Sequence, residues 1–454
     1  MNGLTYRSRR GAELMLLLIA LAIGIGAYAA VGAGVEGEVP ADILTYGGWL
    51  AALALGAHVV VRLVAPYADP VLLPLVVALN GVGLAVIHRL DLAAGDRDLA
   101  AKQLMWSTVA VALFAATLIW IRDHRVLQRF TYTSGLAALT LLLLPLVPGV
   151  GREINGANIW IGVGGLSFQP GEIAKVLLVI CFAGYLVLHR DALALAGRRM
   201  LFIDLPRGRD LGPIVAMWLI SLGILIFQRD LGSSLLFFGL FVIMLYVATE
   251  RAGWLVVGGV LFVAGAYAAY LFVPRVGSRV DIWLNPWSHY GDGTDDLARQ
   301  PIEALFGMSW GGLLGRGLGD GSPWLISHAE SDFIVAAIGE ELGLTAMIAV
   351  LLIYVLIVER GLRAALISRD GFGKLMAAGL ATSLALQVFV VVGGVTHLIP
   401  LTGLTTPFLA YGGSSLVANW VIIALILRIS DVARRPLPDL TQPQPEETTQ
   451  VISL

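Results

Sequence analysis

Apolar runs of about 17–25 residues recur along almost the whole chain, near 13–32, 44–65, 70–88, 104–121, 132–149, 172–188, 211–227, 231–248, 254–273, 333–358, 375–396 and 405–427. In lipid, every backbone N–H and C=O must find its partner inside the protein, and only helices and closed barrels achieve that. The runs are continuous rather than alternating, which excludes a barrel. The sequence therefore predicts an all-α polytopic membrane protein of about 12 transmembrane helices. Composition agrees: of 454 residues 57% are hydrophobic and 14% charged, against roughly a quarter charged in soluble domains. The net charge of −2 gives no reason to expect a nucleic-acid partner. The single cysteine, Cys181, lies in an apolar run, so neither a disulfide framework nor a thiolate metal site is expected. The first run lacks a small-residue cleavage pattern and reads as a true span, not a signal peptide.

Basic residues orient the spans. Arg7, Arg9 and Arg10 precede the first run, and alternate loops carry Arg122, Arg125 and Arg129, then Arg190, Arg198 and Arg199, then Arg251, then Arg360, Arg363 and Arg369. With an even number of spans all of these share the cytoplasmic side with Arg434 and Arg435, so both termini are expected there. The division is a cytoplasmic N-terminus over 1–12, a helix pair over 13–69, a core over 70–430 with a large extracellular loop at 274–332, and a Pro-, Thr- and Glu-rich cytoplasmic tail over 431–454, expected to be disordered.

The polar segments left over gather on the opposite face. They are the 150–171 loop running into Glu172 and Lys175, the turn Gln228–Asp230, the large loop continuing into Asp332, Glu340 and Glu341, and the TPFLAYGGSS segment around Pro407, Gly412, Ser414 and Ser415. Four distant segments meeting at one face predict one composite site. Glu172 and Lys175 share a helix face, as a polar pair lining a cavity or as an ion pair at a helix end. Asp230 lines the site or caps the helix that follows. Asp332, Glu340 and Glu341 fall on one re-entering helix, with Glu341 about 13 Å below Asp332. Acids that deep face protein or water, lining a cavity or tying helices together. Pro407 and the Gly412–Gly413 pair mark a break that lines a cavity, or small residues that allow close packing. The histidines show no zinc-binding spacing, so no zinc site is expected. Trp283, Trp287, Trp310 and Trp324 read as an interfacial belt.

At these motifs the chain resembles the SEDS family, the FtsW/RodA/SpoVE proteins of bacterial cell-wall synthesis. The resemblance rests on Gln169-Pro170-Gly171-Glu172 with Lys175, on Gln228-Arg229-Asp230-Leu231-Gly232-Ser233, and on Ser331-Asp332-Phe333 with Gly339-Glu340-Glu341. It rests also on Leu401-Thr402-Gly403 followed by Pro407-Phe408 and Tyr411-Gly412-Gly413-Ser414-Ser415. It implies a ten-helix core, to which the first two helices are an addition. It implies a peptidoglycan glycosyltransferase that polymerises lipid II, an undecaprenyl-diphosphate-linked disaccharide pentapeptide, at the outer face of the bacterial cytoplasmic membrane. Its roles are cell elongation, division or sporulation, and its partner is a class B penicillin-binding protein, a transpeptidase. Such chemistry needs a base for the acceptor hydroxyl, cationic groups or a metal for the departing diphosphate, and a groove for polyprenyl tails. A divalent cation, Mg or Mn, is left open.

The family's catalytic aspartate follows an element matched here by Asn285-Pro286-Trp287, and Asp292 falls nearest that spacing, with Asp295 and Asp296 as alternates. The segment between departs from the family pattern. Glu172, Lys175, Asp230, Arg279, Asp332, Glu341 and Ser414 are the expected substrate-binding residues. A lipid II flippase or transporter is the rival reading, and a scaffold for the transpeptidase a third. Internal inverted repeats would favour transport, and none is evident.

Overall fold

The computed structural model describes residues 10–95, 98–154, 156–163, 166–190, 198–200, 203–205, 208–290 and 296–436. Helices α1 (Arg10–Val35) and α2 (Ile43–Val64) form the N-terminal pair. Then come α3 (Leu72–Ala94), α4 (Leu99–Trp120), α5 (Thr131–Leu143), α6 (Pro170–Leu188), α7 (Gly208–Phe227), α8 (Leu231–Thr249) and α9 (Gly253–Phe272). The expected large loop is itself helical, as α10 (Pro274–Leu284), α11 (Pro286–His289) and α12 (Asp296–Gly311). The last three are α13 (Ile334–Ile367), α14 (Gly371–Val395) and α15 (Gly413–Arg434). Among the described residues eleven helices are long and apolar enough to cross a membrane, and Gly212–Phe227 within α7 is a shorter apolar one. The chain is a polytopic helical membrane protein.

Local chemistry sets the helix ends. Pro170, Pro274 and Pro286 each stand in the first turn of a helix, where a missing N–H costs nothing. Asp230 and Asp370 cap α8 and α14, accepting from the amides of Ser233 and Gly373. Helices α3, α6, α14 and α15 form the buried centre, whereas α9 stands almost free of the bundle. Helix α1 crosses α3 where Gly24 meets Gly81. A Cβ at Gly24 would come within 2.9 Å of the Gly81 backbone, so small residues set this crossing.

Three features differ from the sequence reading. The 150–171 loop is an antiparallel sheet in the order β1 (Gly151–Ile154), β2 (Ala157–Val163), β3 (Leu166–Phe168). The last span begins at Gly413, not near 405, because residues 396–412 stay non-helical though Phe408, Leu409 and Ala410 are buried. The re-entering helix starts at Ile334, leaving Asp332 before it, and it breaks at Gly343 (φ 77°, ψ −179°), a conformation open essentially to glycine alone.

The break is sealed by the polar segment after α12. The amides of Leu344 and Thr345 donate to the Gly312 and Leu313 carbonyls, and those of Arg316 and Gly317 to the Glu340 and Glu341 carbonyls. Backbone groups on both sides of the kink are thus paired with protein, as membrane depth requires.

Candidate active site

Three transmembrane helices contribute a buried polar network. Lys175 Nζ donates to Glu172 Oε2 and to Gln387 Oε1, each at 2.8 Å. Gln387, on α14, donates through Nε2 to the Thr405 carbonyl at 2.9 Å and to Ser415 Oγ at 3.4 Å. Asn419 donates to the same hydroxyl at 3.1 Å. Ser414 Oγ accepts from the amide of Gln169 at 2.8 Å, joining the start of α15 to the start of α6. The Glu172–Lys175 pair is therefore real and inward-facing. Its third partner, Gln387, was missed because a lone glutamine in an apolar run carries no sequence motif.

Asp230, Arg279 and Asp332 form a second layer. Gly232, two residues after the cap Asp230, packs on Leu404 and the Thr402 carbonyl. Arg279, on α10, donates through Nη1 to the carbonyls of Leu401 and Thr402 at 3.0 and 3.2 Å, while its buried Nε has no partner. A Cβ at Gly403 would lie 3.6 Å from Asp332 Oδ2 and 3.9 Å from Arg279 Nη2, so both side chains converge on that turn. Burial pushes the Asp332 carboxyl up to about 6, against the opposing pull of His328, Ser331 and Arg279. Burial likewise raises Asp230, opposed by its bonds to Ser233, with the charge of Glu172 adding to the rise. It lowers Arg279, helped by the neighbouring Arg275. Burial thus displaces the titration of both acids and of the arginine that interacts with each of them.

Beside this cluster opens a cleft of about 910 Å³ between the α7–α8 turn and the end of α9. Ile226, Leu231, Ala268 and Phe272 line it, together with Arg229 and Arg275. Arg275 also donates to the Gly156 carbonyl at 2.7 Å, tying the β-sheet to α10. The Asn158 amide donates to the Gln228 carbonyl, so the sheet seats the α7–α8 turn as well.

Glu341 falls outside this arrangement. Its Oε1 accepts from Arg89 Nε at 2.7 Å, and Arg89 Nη2 donates to the carbonyls of Gly319 and Gly321. Glu340 accepts from the Ser322 amide at 2.7 Å. These contacts support the tying role for Glu341 over the cavity role, and they bring in Arg89, which no motif had singled out. Asp292 and Asp295 lie outside the described residues, as does the side chain of Asp296 at the start of α12. Among the described residues no three His, Cys, Asp or Glu side chains gather closely enough to hold a metal ion. Trp287 and Trp310 are exposed, as an interfacial belt requires, whereas Trp283 turns inward to donate to the His397 carbonyl.

A family model for FtsW/RodA/SpoVE cell cycle proteins matches residues 70–435. Peptidoglycan glycosyltransferase RodA of Mycobacterium tuberculosis is 47% identical over 436 residues, covering 95% of this chain and 92% of that protein. RodA of Mycobacterium leprae is 45% identical over 454 residues, covering 98% and 96%. The probable peptidoglycan glycosyltransferase FtsW of Geobacter metallireducens is 33% identical over 319 residues, covering 70% and 81%. A solved structure described as the structural coordination of polymerization and crosslinking by a peptidoglycan synthase complex superposes with a TM-score of 0.63 at 29% identity, covering 81% of this chain and 98% of that one. An Asp-to-Ala mutant of the rod shape determining protein RodA of Thermus thermophilus gives 0.55 at 27%, covering 80% and 97%. With the model matched over most of its length and relatives this alike along nearly all of it, the chain belongs to the FtsW/RodA/SpoVE family and is an integral-membrane peptidoglycan glycosyltransferase.

Proposed function

We propose that the chain polymerises lipid II at the end of the bundle that carries α10–α12, and that this end faces outward from the cytoplasmic membrane. The observation that carries the reading is a cleft with mainly apolar walls and two arginines, Arg229 and Arg275, in its lining, formed by chain neighbours of Asp230 and Arg279. Lipid II has the matching parts: a polyprenyl tail for the walls, a diphosphate for the cations and a sugar for the acids. In the reaction an acceptor sugar hydroxyl attacks the anomeric carbon of the donor. The bond from that carbon to the diphosphate oxygen breaks, the base takes the hydroxyl proton, and the diphosphate leaves with the electron pair.

Asp292 is the proposed base, with Asp295 and Asp296 as alternates on the same segment. Arg275 and Arg279 meet the charge developing on the diphosphate. Lys175 uses two of its three N–H groups on Glu172 and Gln387, and the third is the one proposed for a substrate oxygen. Ser414 positions the start of α15 beside it. A Mg or Mn ion would enter with the diphosphate, bound largely by phosphate oxygens. The partner is a class B penicillin-binding protein, in keeping with the likeness to a synthase complex.

Purified protein, lipid II and the cognate transpeptidase test the reading together, by the appearance of glycan strands. Transfer of lipid II across vesicles without polymer would overturn it. Orientation has its own test in a Cys181-free background. Ser288→Cys, exposed on α11, should react with an impermeant maleimide in intact cells, and Arg369→Cys at the other end should not. The reverse pattern would place the site in the cytoplasm.

A further inference from the structure

A second polar cavity, of about 380 Å³, lies where the N-terminal pair meets α3 and α4. It sits at the same end of the bundle as α10–α12, since Arg89, one residue from the lining His88, holds Gly319 and Gly321. Three stacked rings build its wall. Tyr28 lies between Tyr46, with ring centroids 3.8 Å apart, and His88, at 4.3 Å. Asp42, Asp91 and Asp98 also line it, and among the described residues no lysine or arginine does.

The hydrogen bonds leave acceptors over. Tyr28 Oη spends its proton on Asp42 Oδ2 at 2.8 Å, and the Ala100 amide takes Asp91 Oδ2 at 2.7 Å. Asp91 Oδ1 is buried without a partner. So is the hydroxyl of Tyr46, a residue only 6% exposed. A buried polar atom left unpaired costs free energy, and here two such atoms belong to side chains lining one cavity. A ligand that settles both must bring hydrogen-bond donors. Carboxylates and aromatic faces with no lining lysine or arginine select one that is also positive. A divalent metal fits poorly, because no metal-holding group of acids or imidazoles exists among the described residues.

We propose that this cavity binds a primary ammonium group, held by Asp91, Asp42 and the Tyr46 hydroxyl against the Tyr28–Tyr46–His88 stack. The inference uses none of the glycosyltransferase chemistry and stands or falls apart from it. The ammonium has two available sources, a soluble amine or an ethanolamine lipid headgroup.

The test is calorimetric titration of n-butylammonium chloride into the full chain in phosphatidylglycerol nanodiscs. Saturable binding is expected, with n-butanol and calcium chloride giving none. Asp91→Asn should abolish it. Tyr46→Phe should weaken it at least about tenfold without lowering thermal stability, because the hydroxyl it removes has no partner in the protein. Repeating the titration with phosphatidylethanolamine in the disc separates the sources: competition assigns the site to the headgroup, and unchanged affinity to a soluble amine. Equal binding of butanol, displacement by calcium, or full affinity in Tyr46→Phe would each overturn the proposal.

Discussion

Lys175 poses the sharpest question, because the same contacts fit a structural ion pair and a phosphate site. Its ammonium and the Glu172 carboxylate are both buried, and Gln387 is held by the same nitrogen. Replacing the lysine alone, as Lys175→Met, strands a buried carboxylate and leaves the Gln387 carbonyl oxygen without its donor. Breaking a buried pair by removing one partner costs about 3–5 kcal/mol. The paired variant Glu172→Gln/Lys175→Met removes both charges together. Its added side-chain amide can donate to Gln387, so stability should return to within about 1 kcal/mol of wild type, because replacing a whole buried pair is often neutral. The paired variant is then about 2–4 kcal/mol more stable than Lys175→Met alone, a difference well above the error of such comparisons. Chemical denaturation in detergent measures this, and polymer yield from lipid II measures function. A phosphate role predicts that the paired variant is stable yet slower by about 100-fold or more, the loss typical of one removed transition-state donor. Wild-type polymerisation by the paired variant would refute the phosphate role and leave Lys175 a structural residue. Unchanged stability in Lys175→Met would refute the premise that the pair is buried and charged.

Asp292→Asn should lower polymerisation by roughly 10²–10⁴-fold with lipid II binding retained, and Asp295→Asn and Asp296→Asn should be milder; activity in Asp292→Asn with a dead neighbour would move the base to that neighbour. Asp332 titrates near 6 when folded, above the usual carboxylate range, so between about pH 4 and 6 the unfolded chain holds fewer protons than the folded one, and stability falls as pH rises through that window. Asp332→Asn should flatten this part of the stability–pH curve, and an unchanged curve would show that the carboxyl is not desolvated. Gly343→Ala should destabilise by at least about 2 kcal/mol, from backbone strain and from a Cβ placed 2.3 Å from the Gly315 amide nitrogen; cellular abundance and melting temperature report it, and a wild-type melt would mean the kink is not as described.

Much of the fold was legible because lipid imposes a coarse rule that length and polarity satisfy. The convergence of Glu172, Asp230, Arg279 and Asp332 was legible for a related reason: each lies at a span end or in the large loop, and the alternation of basic loops puts those segments on one side. Finer features obeyed rules that no local pattern displays. The sheet over residues 151–168 has few alternating apolar residues, and tertiary contacts hold it, through Asn158 to Gln228 and Gly156 to Arg275. Gln387 sits alone in an apolar run, and the meaning of Gln387, Arg89 and Tyr46 depends on partners between 18 and 252 residues away.

The break at Gly343 accounts for acids in an apolar helix without placing them in lipid. Thirty-four residues of continuous α13 would reach about 51 Å, against roughly 30 Å of hydrocarbon. The part after Gly343 alone, about 36 Å, suffices to cross. The part before it, Ile334–Leu342, need not span anything. It is free to lie under the segment after α12, where Ser322 and Arg89 hold Glu340 and Glu341. The pairing has a mechanical consequence. Arg89 belongs to α3, so its bond to Glu341 and its two carbonyl contacts fix the 315–321 segment to the buried centre of the bundle. Asp332, just ahead of Ile334, takes its position from that clamped helix, while Asp230 takes its own from the cap of α8. The two acids nearest Arg279 both stand at helix starts, where exposed amide dipoles favour negative charge. One short stretch of chain thus carries the acid proposed for the site before the helix and the anchoring acids within it.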